Sequence, residues 1–163
     1  ACRSGVVAPP LRPLPHLNPQ AAPPTNQAHP VSLACGYEVV KHLIKEDLPG
    51  KAAALEAVMV EELSRIVTHR RGVGRARAIG LFGCLDLVDA AGRPAMSLGD
   101  RMTPPIDRLR LAMLEQGLIG LFRPPLLHCA PPLVISEEVL RDGFAKLDLA
   151  LMEYDRAIGE LAG

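Results

Sequence analysis

The final quarter of the chain restricts the fold most, because its apolar residues recur at the spacing of an α-helix. Steps of four and three alternate through Leu140, Phe144, Leu147, Leu151, Tyr154, Ile158 and Leu161. This spacing places all of these side chains on one helical face. Ser136 can cap the helix, and Glu137 and Glu138 suit its positive end. A helix with so broad an apolar face must pack against other elements, so the chain must also supply a core.

Three shorter helices are predicted upstream of this one. The first spans about residues 30–47, and Pro30 is well placed at its start. Pro49-Gly50 interrupts the pattern, and an amphipathic stripe then covers residues 55–69. The third helix spans residues 104–117, between a Pro-Pro pair and a glycine.

Residues 73–88 are rich in β-forming residues and predict a strand. Both of its faces are apolar, with Ile79, Leu81, Leu85 and Leu87 on one face and Phe82 and Cys84 on the other. This pattern indicates a strand buried from both sides. Because an unpaired carboxylate is costly to bury, Asp86 is expected to pair with an arginine or to face a water-lined edge.

Two short apolar runs, residues 118–122 and 126–129, flank Arg123 and Pro124-Pro125 and predict a hairpin. The order of elements is therefore helix, helix, strand, helix, hairpin, helix. This order predicts an α+β fold with helices packed on a small, mostly antiparallel sheet. A chain of 163 residues has the length of one such domain.

The first 24 residues have a different composition. They contain seven prolines and no acidic residue, and their apolar residues show almost no periodicity. We therefore interpret residues 1–24 as a disordered or unrelated segment and residues 25–163 as the folded unit. Prolines such as Pro9 and Pro13 also interrupt any signal-peptide core.

The charge balance and the cysteines limit which partners the chain can bind and which cellular compartment suits it. Lys plus Arg balance Asp plus Glu at 18 each, so no overall field attracts nucleic acid or an anionic membrane. The basic residues at positions 69–77 leave nucleic-acid binding as an alternative, but two tyrosines and three phenylalanines offer few stacking groups. No apolar run spans a bilayer. Four dispersed cysteines, without a metal-ligand cluster, indicate reduced thiols in the cytoplasm.

Three motifs, in order and at matching separations, resemble the C-terminal region of class III aminotransferases. Residues 25–30 read TNQAHP, similar to the family's T-x-x-[GA]-H-P at the start of a helix. Residues 73–82 read VGRARAIGLF, similar to its V-G-x-V-R-G-x-G-L strand. Residues 127–136 read LHCAPPLVIS, similar to the hairpin arm and its P-P-L-x-I-[ST] entry to the last helix. The resemblance covers residues 25–163.

This resemblance implies the small C-terminal domain of a fold-type I enzyme that uses pyridoxal 5'-phosphate (PLP). The complete enzyme would be a homodimeric transaminase that moves an amino group from an amine or ω-amino acid to a 2-oxo acid. In the family the threonine of the first motif, here Thr25, contacts the cofactor phosphate across the dimer interface. Arg123 would bind a substrate carboxylate, for which its planar guanidinium is well shaped.

Ordinary structural roles remain open for both residues. Thr25 can instead be a turn or cap residue ahead of Pro30, and Arg123 can be a solvent-facing turn arginine. The resemblance gives His29 a role in shaping the helix start. It gives Arg77 a role in fixing a loop through hydrogen bonds.

One departure from the family concerns catalysis. The family needs a lysine that forms a Schiff base with the cofactor and carries the proton. The lysines of this chain lie on or beside amphipathic helices at positions 41, 45, 51 and 146, and none has that setting. We therefore predict that no catalytic residue is present here and that the isolated chain is inactive. The alternative is a non-catalytic interaction or dimerisation domain derived from the family.

Overall fold

The computed structural model describes residues 30–97, 99–123 and 125–161. By compactness the chain forms two units, residues 1–41 and 42–163. Helix α1 (Pro30–Lys45) begins in the first unit, and none of its side chains is buried. The predicted boundary between residues 24 and 25 lies outside the described residues and stays a prediction.

The second unit alternates helices and short strands. Its elements are α2 (Leu48–Ala54), α3 (Glu56–His69), β1 (Val73–Ile79), β2 (Phe82–Leu87), α4 (Pro104–Glu115), β3 (Leu121–Arg123), β4 (Leu126–Cys129) and α5 (Glu137–Glu160). The strands form one antiparallel sheet in the order β1-β2-β4-β3. The predicted α+β class, with helices on a small antiparallel sheet, is confirmed.

The core lies between one face of the sheet and the helices. Leu85 and Leu127 contribute fully buried side chains from the two central strands, and α5 contributes Phe144, Leu151 and Tyr154. These α5 residues belong to the periodic face that the sequence predicted. A fully buried leucine or phenylalanine contributes about 1.5–3 kcal/mol relative to exposure, so this helix is a principal source of stability.

The prediction of one long strand over residues 73–88 is wrong, because the segment folds back on itself as the hairpin of β1 and β2. Gly80 has a φ of +54°, which glycine adopts readily in two-residue hairpin turns. Its N–H donates to the Glu56 carboxylate at 2.6 Å, which ties the turn to α3. Burial from both sides is wrong as well, since Ile79 is 75% exposed and Phe82 52% exposed.

Helix α2 was not expected from the sequence, which placed only a turn at Pro49-Gly50. Asp47 adopts a left-handed conformation with a φ of 45° and caps α2 by accepting a hydrogen bond from the Gly50 N–H at 3.3 Å. Pro49 lies in the first turn of the helix, where its missing N–H costs nothing. The interruption seen in the sequence is therefore the start of a short helix.

Ion pairs join α3 and its C-terminal end to α5. Asp148 accepts hydrogen bonds from the guanidinium groups of Arg70 at 2.7 Å and Arg65 at 3.2 Å. Farther along the two helices, Arg141 donates to the nearly buried Glu62 at 2.9 Å. The side chains of Arg70 and Asp148 are each only 17% exposed. Solvent therefore screens this pair less than an ordinary surface pair.

Asp148→Ala should lower the free energy of unfolding by about 1–3 kcal/mol, because it removes charge-assisted hydrogen bonds and leaves Arg70 partly buried without a partner. Asp142→Ala is the matched control on the same helix, since the partner of Asp142 among the described residues is the exposed Lys146. That substitution should change stability by less than about 1 kcal/mol. Urea unfolding at neutral pH measures both values, and equal losses would contradict the assignment.

The Asp148 contribution should also depend on pH. Hydrogen bonds from Arg70 hold the pKa of Asp148 below its ordinary value of 3.8. The stabilisation is therefore complete above that ordinary value and is lost as the pH falls through the lower, folded-state pKa. Consequently, wild type should lose more stability than Asp148→Ala between neutral pH and pH ~2. Equal losses in the free energy of unfolding of the two proteins over this pH range would contradict the prediction.

Candidate functional site

The side of the sheet that the helices do not cover is the candidate functional face. Phe122 and Cys129 pack against the core, and side chains alternate along a strand, so their neighbours point the other way. This outer face consists of Arg75, Arg77, Ile79, Phe82, Cys84, Asp86, Leu121, Arg123, Leu126 and His128. It combines exposed apolar side chains with three guanidinium groups and one carboxylate.

Arg123 lies at the edge of this face, at the end of β3. Its register partner is Leu126, which in turn faces Asp86 in the next strand. Arg123 is exposed, and none of the ion pairs found among the described residues involves it. An exposed guanidinium without an internal carboxylate partner can bind an external one. This position suits the predicted carboxylate-binding role but also the solvent-facing alternative.

Arg77 is engaged within the sheet. Its guanidinium donates to the Asp86 carboxylate at 2.7 Å, and this contact raises the pKa of Arg77. The expectation that Asp86 pairs with an arginine is confirmed. Arg77 does form a structural hydrogen bond, but to the neighbouring strand and not to a loop. Asp86 is therefore already committed to an arginine other than Arg123.

His128 is a component of the outer face that the sequence did not single out. Its ring stacks on Phe82 with the centroids 5.6 Å apart, and its register partner across the sheet is Cys84. The Nδ1 atom is buried and has no hydrogen-bond partner among the described residues. A polar residue within the apolar run of β4 was the available signal.

Cys129, the next residue, is partly buried, and its side chain packs against the core. Burial raises its pKa to about 12, so the thiol stays neutral at physiological pH. Cys35 is exposed on α1. The thiol of Cys35 is therefore more accessible to solvent than that of Cys129.

The lysines lie on helix surfaces, as the sequence predicted. Lys41 pairs with Glu38 at 2.9 Å, Lys51 with Glu46 at 3.6 Å and Lys146 with Asp142 at 2.6 Å, and Lys45 is exposed. A lysine that attacks a carbonyl must instead be desolvated or lie beside another cation. None of the four has such an environment.

Two of the predicted site residues, Thr25 and His29, lie outside the described residues. Their roles stay predictions. Within residues 30–97, 99–123 and 125–161, no group of three potential ligands could hold a metal ion. No helix in that part of the chain is long and apolar enough to cross a membrane.

Comparison with known proteins identifies the family. The sequence model described as "Aminotransferase class-III" matches residues 10–151, which is most of the chain. The chain belongs to the class-III aminotransferases. A relative from Sinorhizobium fredii, the uncharacterized aminotransferase y4uB, is 29% identical over 134 residues. That match covers 78% of this chain but 27% of the relative.

Solved structures agree with this assignment. The taurine:2-oxoglutarate aminotransferase of Bifidobacterium kashiwanohense, in complex with PLP and glutamate, matches with a TM-score of 0.72 and 26% identity. The match covers 78% of this chain and 29% of that one. A thermostable (S)-enantioselective omega-transaminase from Thermomicrobium roseum matches with a TM-score of 0.65 and 29% identity. That match covers 77% of this chain and 28% of the transaminase. The chain thus spans under a third of the length of these relatives.

Class-III aminotransferases are PLP-dependent, but the described residues do not by themselves fit the cofactor. Covalent attachment needs a suitable lysine, and the four lysines here are surface groups. The one buried side-chain polar atom without a hydrogen-bond partner in this part of the chain is His128 Nδ1, a single ring nitrogen. The outer face can therefore contribute at most individual contacts.

The thiol of Cys129 should react slowly with a disulfide reagent such as 5,5'-dithiobis(2-nitrobenzoate). At pH 8, a pKa of about 12 gives roughly a thousandfold less thiolate than an ordinary thiol has. Cys35 should be labelled well before Cys129, since Cys35 is exposed and Cys129 packs against the core. Timed quenching and peptide mapping measure both rates. Comparable rates in the native chain would contradict the burial of Cys129.

Proposed function

We propose that residues 25–163 are the small C-terminal domain of a PLP-dependent transaminase. The complete enzyme would move an amino group from an amine or ω-amino acid to a 2-oxo acid, in the cytoplasm and as a homodimer. The family match over residues 10–151 is the observation that carries this proposal. The similarity to a taurine:2-oxoglutarate aminotransferase supports the substrate class.

Arg123 is proposed to bind the substrate carboxylate in the complete enzyme. Its position at the end of the short edge strand β3 lets the guanidinium extend beyond the sheet. Asp86, the carboxylate of the same face, is held by Arg77 at 2.7 Å. Arg123 therefore remains available for an external anion, and a bidentate pair would orient the substrate as well as bind it.

Thr25 is proposed to donate a hydrogen bond to the cofactor phosphate across the dimer interface. A hydroxyl can do so without adding charge to the site. PLP supplies the electron sink that transamination requires when it is bound. The residues of this chain would bind and orient, while the covalent attachment and the proton transfer would belong to a lysine elsewhere in the complete enzyme.

The isolated chain should bind PLP weakly and show no transaminase activity. One neutral hydrogen bond contributes about 0.5–1.5 kcal/mol, whereas micromolar affinity requires ~8 kcal/mol. Borohydride trapping of lysine-bound cofactor, followed by peptide mapping, should give only scattered, substoichiometric labelling. A single stoichiometric adduct on one lysine, with amine-dependent conversion of pyruvate, would show that the chain is catalytically complete.

In the complete enzyme, Arg123→Lys should raise KM for the 2-oxo acid about tenfold and change kcat by less than about threefold. The reason is that an ammonium cannot replace the bidentate contact, a loss of about 1.5–3 kcal/mol at most. Arg75→Lys is the matched control, because Arg75 is an exposed arginine on the opposite edge strand of the same face. Steady-state kinetics that change equally in both variants would remove Arg123 from the substrate site.

A second candidate function is a non-catalytic interaction or dimerisation domain. Its support is the exposed apolar surface, since Ile79 and Phe82 on the outer face and Leu33 and Tyr37 on α1 are all more than half exposed. Sedimentation distinguishes the two proposals. A stable dimer that forms with the same affinity in the presence and absence of PLP would favour the interaction domain.

A further inference from the structure

A thiol, an imidazole and a guanidinium lie in one row across the outer face of the sheet. Arg77 on β1 is the register partner of Cys84 on β2, and Cys84 is the register partner of His128 on β4. Directly paired residues of neighbouring antiparallel strands point to the same face, with Cβ atoms about 4.5–5.5 Å apart. The thiol of Cys84 therefore lies between the guanidinium and the imidazole.

The Cys84 thiol is partly accessible to solvent. Its neighbours in the strand, Gly83 and Leu85, are buried, whereas Cys84 itself is not. Cys129 packs against the core on the opposite face of the sheet. Because the Cβ atoms of these two cysteines point to opposite sides, a disulfide between them would require backbone movement. Cys129 therefore does not compete with an external partner for the Cys84 thiol.

The charges around Cys84 are mostly positive. Asp86 is the one carboxylate of the outer face, and Arg77 neutralises it through the contact at 2.7 Å. This contact is the largest cause of the raised pKa of Arg77, and the Cys84 sulfur adds to it, so the guanidinium also lies near the thiol. Arg75 and Arg123 are exposed, and none of the ion pairs found among the described residues involves them. The outer face thus keeps a net positive charge beside the thiol.

His128 supplies a proton acceptor next to the thiol. Its ring stacks on Phe82, and the buried Nδ1 atom has no hydrogen-bond partner in the described part of the chain. An imidazole beside a cysteine activates the sulfur as a nucleophile, because the ring takes the thiol proton. The row therefore combines a nucleophile, a base and a cation.

We propose that Cys84 forms a mixed disulfide with small disulfides that carry carboxylates. The Cys84 sulfur attacks one sulfur of the small molecule, a new S–S bond forms as the original one breaks, and one thiolate leaves. The leaving thiolate takes up the proton that Cys84 gave to His128. Cys84 is thereby oxidised and half of the small disulfide is reduced. Carboxylates select the partner because they pair with the guanidinium groups of the face.

The reaction needs no cofactor and is independent of the proposed transamination. Two aliphatic disulfides of opposite charge, anionic 3,3'-dithiodipropionate and cationic cystamine, test it on the full chain at pH 8. Timed quenching and peptide mapping give the rate of modification of Cys84 and of Cys35. Cys35 is exposed on α1 and serves as the internal reference, which cancels the different intrinsic reactivities of the two reagents.

The measured quantity is the ratio of the rate with the anionic reagent to the rate with the cationic one. At low ionic strength this ratio should be at least about tenfold higher for Cys84 than for Cys35. In ~1 M salt the difference should fall below about threefold, because salt screens the exposed charges. Equal ratios for the two cysteines at low salt, or no modification of Cys84, would overturn the proposal.

Substitutions on the outer face test the source of the selectivity. Asp86→Asn removes the negative charge and should raise the rate ratio of Cys84 about threefold, whereas Arg75→Gln should lower it about threefold. Arg156→Gln is the matched control, because it changes the net charge as Arg75→Gln does but lies on α5, where Arg156 pairs with Glu153. It should leave the ratio unchanged. Equal responses to Arg156→Gln and Arg75→Gln would overturn selection by the outer face.

His128→Phe tests the proton acceptor alone, since it keeps an aromatic ring against Phe82. It should slow the modification of Cys84 roughly tenfold with both reagents, because the thiol loses its base. The rate ratio between the reagents should stay within about twofold, since the guanidinium groups remain. Unchanged rates with both reagents, in a variant that is folded by circular dichroism, would overturn the assigned role of His128.

Discussion

The junction between Tyr154 and the start of β1 holds the fold together. Tyr154 is fully buried on α5, and its hydroxyl donates to the Val88 carbonyl at 3.0 Å. Gly72 allows the close approach, because a Cβ there would lie 2.4 Å from the tyrosine ring. The next helical residue, Asp155, accepts a hydrogen bond from the Gly72 N–H at 2.7 Å. These contacts fix the long helix against the hairpin, and the orientation of the sheet depends on them.

The outer face follows from this arrangement. Once α3 and the helices packed with it cover one side of the sheet, strand alternation must direct Arg77, Asp86 and Arg123 to the other. Arg77 pairs with Asp86 at 2.7 Å, whereas Arg123 has no carboxylate partner among the described residues. Family membership alone would not separate the two arginines, whereas the cross-strand geometry does.

Sequence reasoning succeeded where one pattern had one physical interpretation. The periodicity of α5 allowed only an amphipathic helix, and the paired prolines at 104–105 marked a helix start. It failed at β1 and β2, because a continuous run of β-forming residues hid the turn at Gly80, whose φ of +54° is a property of the backbone. It missed α2 because a proline can either break a helix or begin one.

Site prediction had a similar limit. The motif at residues 127–136 indicated the family, but it did not single out His128. Two properties of the folded chain do so: the buried Nδ1 atom and the stacking of the ring on Phe82. The burial of a side chain and its hydrogen-bond partners depend on long-range pairing, in this case between β4 and β2. No periodicity in the sequence encodes that pairing. Thr25 remains a prediction from the motif alone.

The edges of the sheet have a consequence for self-association in solution. Open strand edges can recruit other chains by adding strands, and proteins resist this with short, charged or irregular edges. β3 has only three residues and ends in Arg123, while β1 carries two arginines and a register irregularity between Val73 and Arg75. Both edges are therefore poor templates for a growing fibril, so any association of the chain should occur face to face.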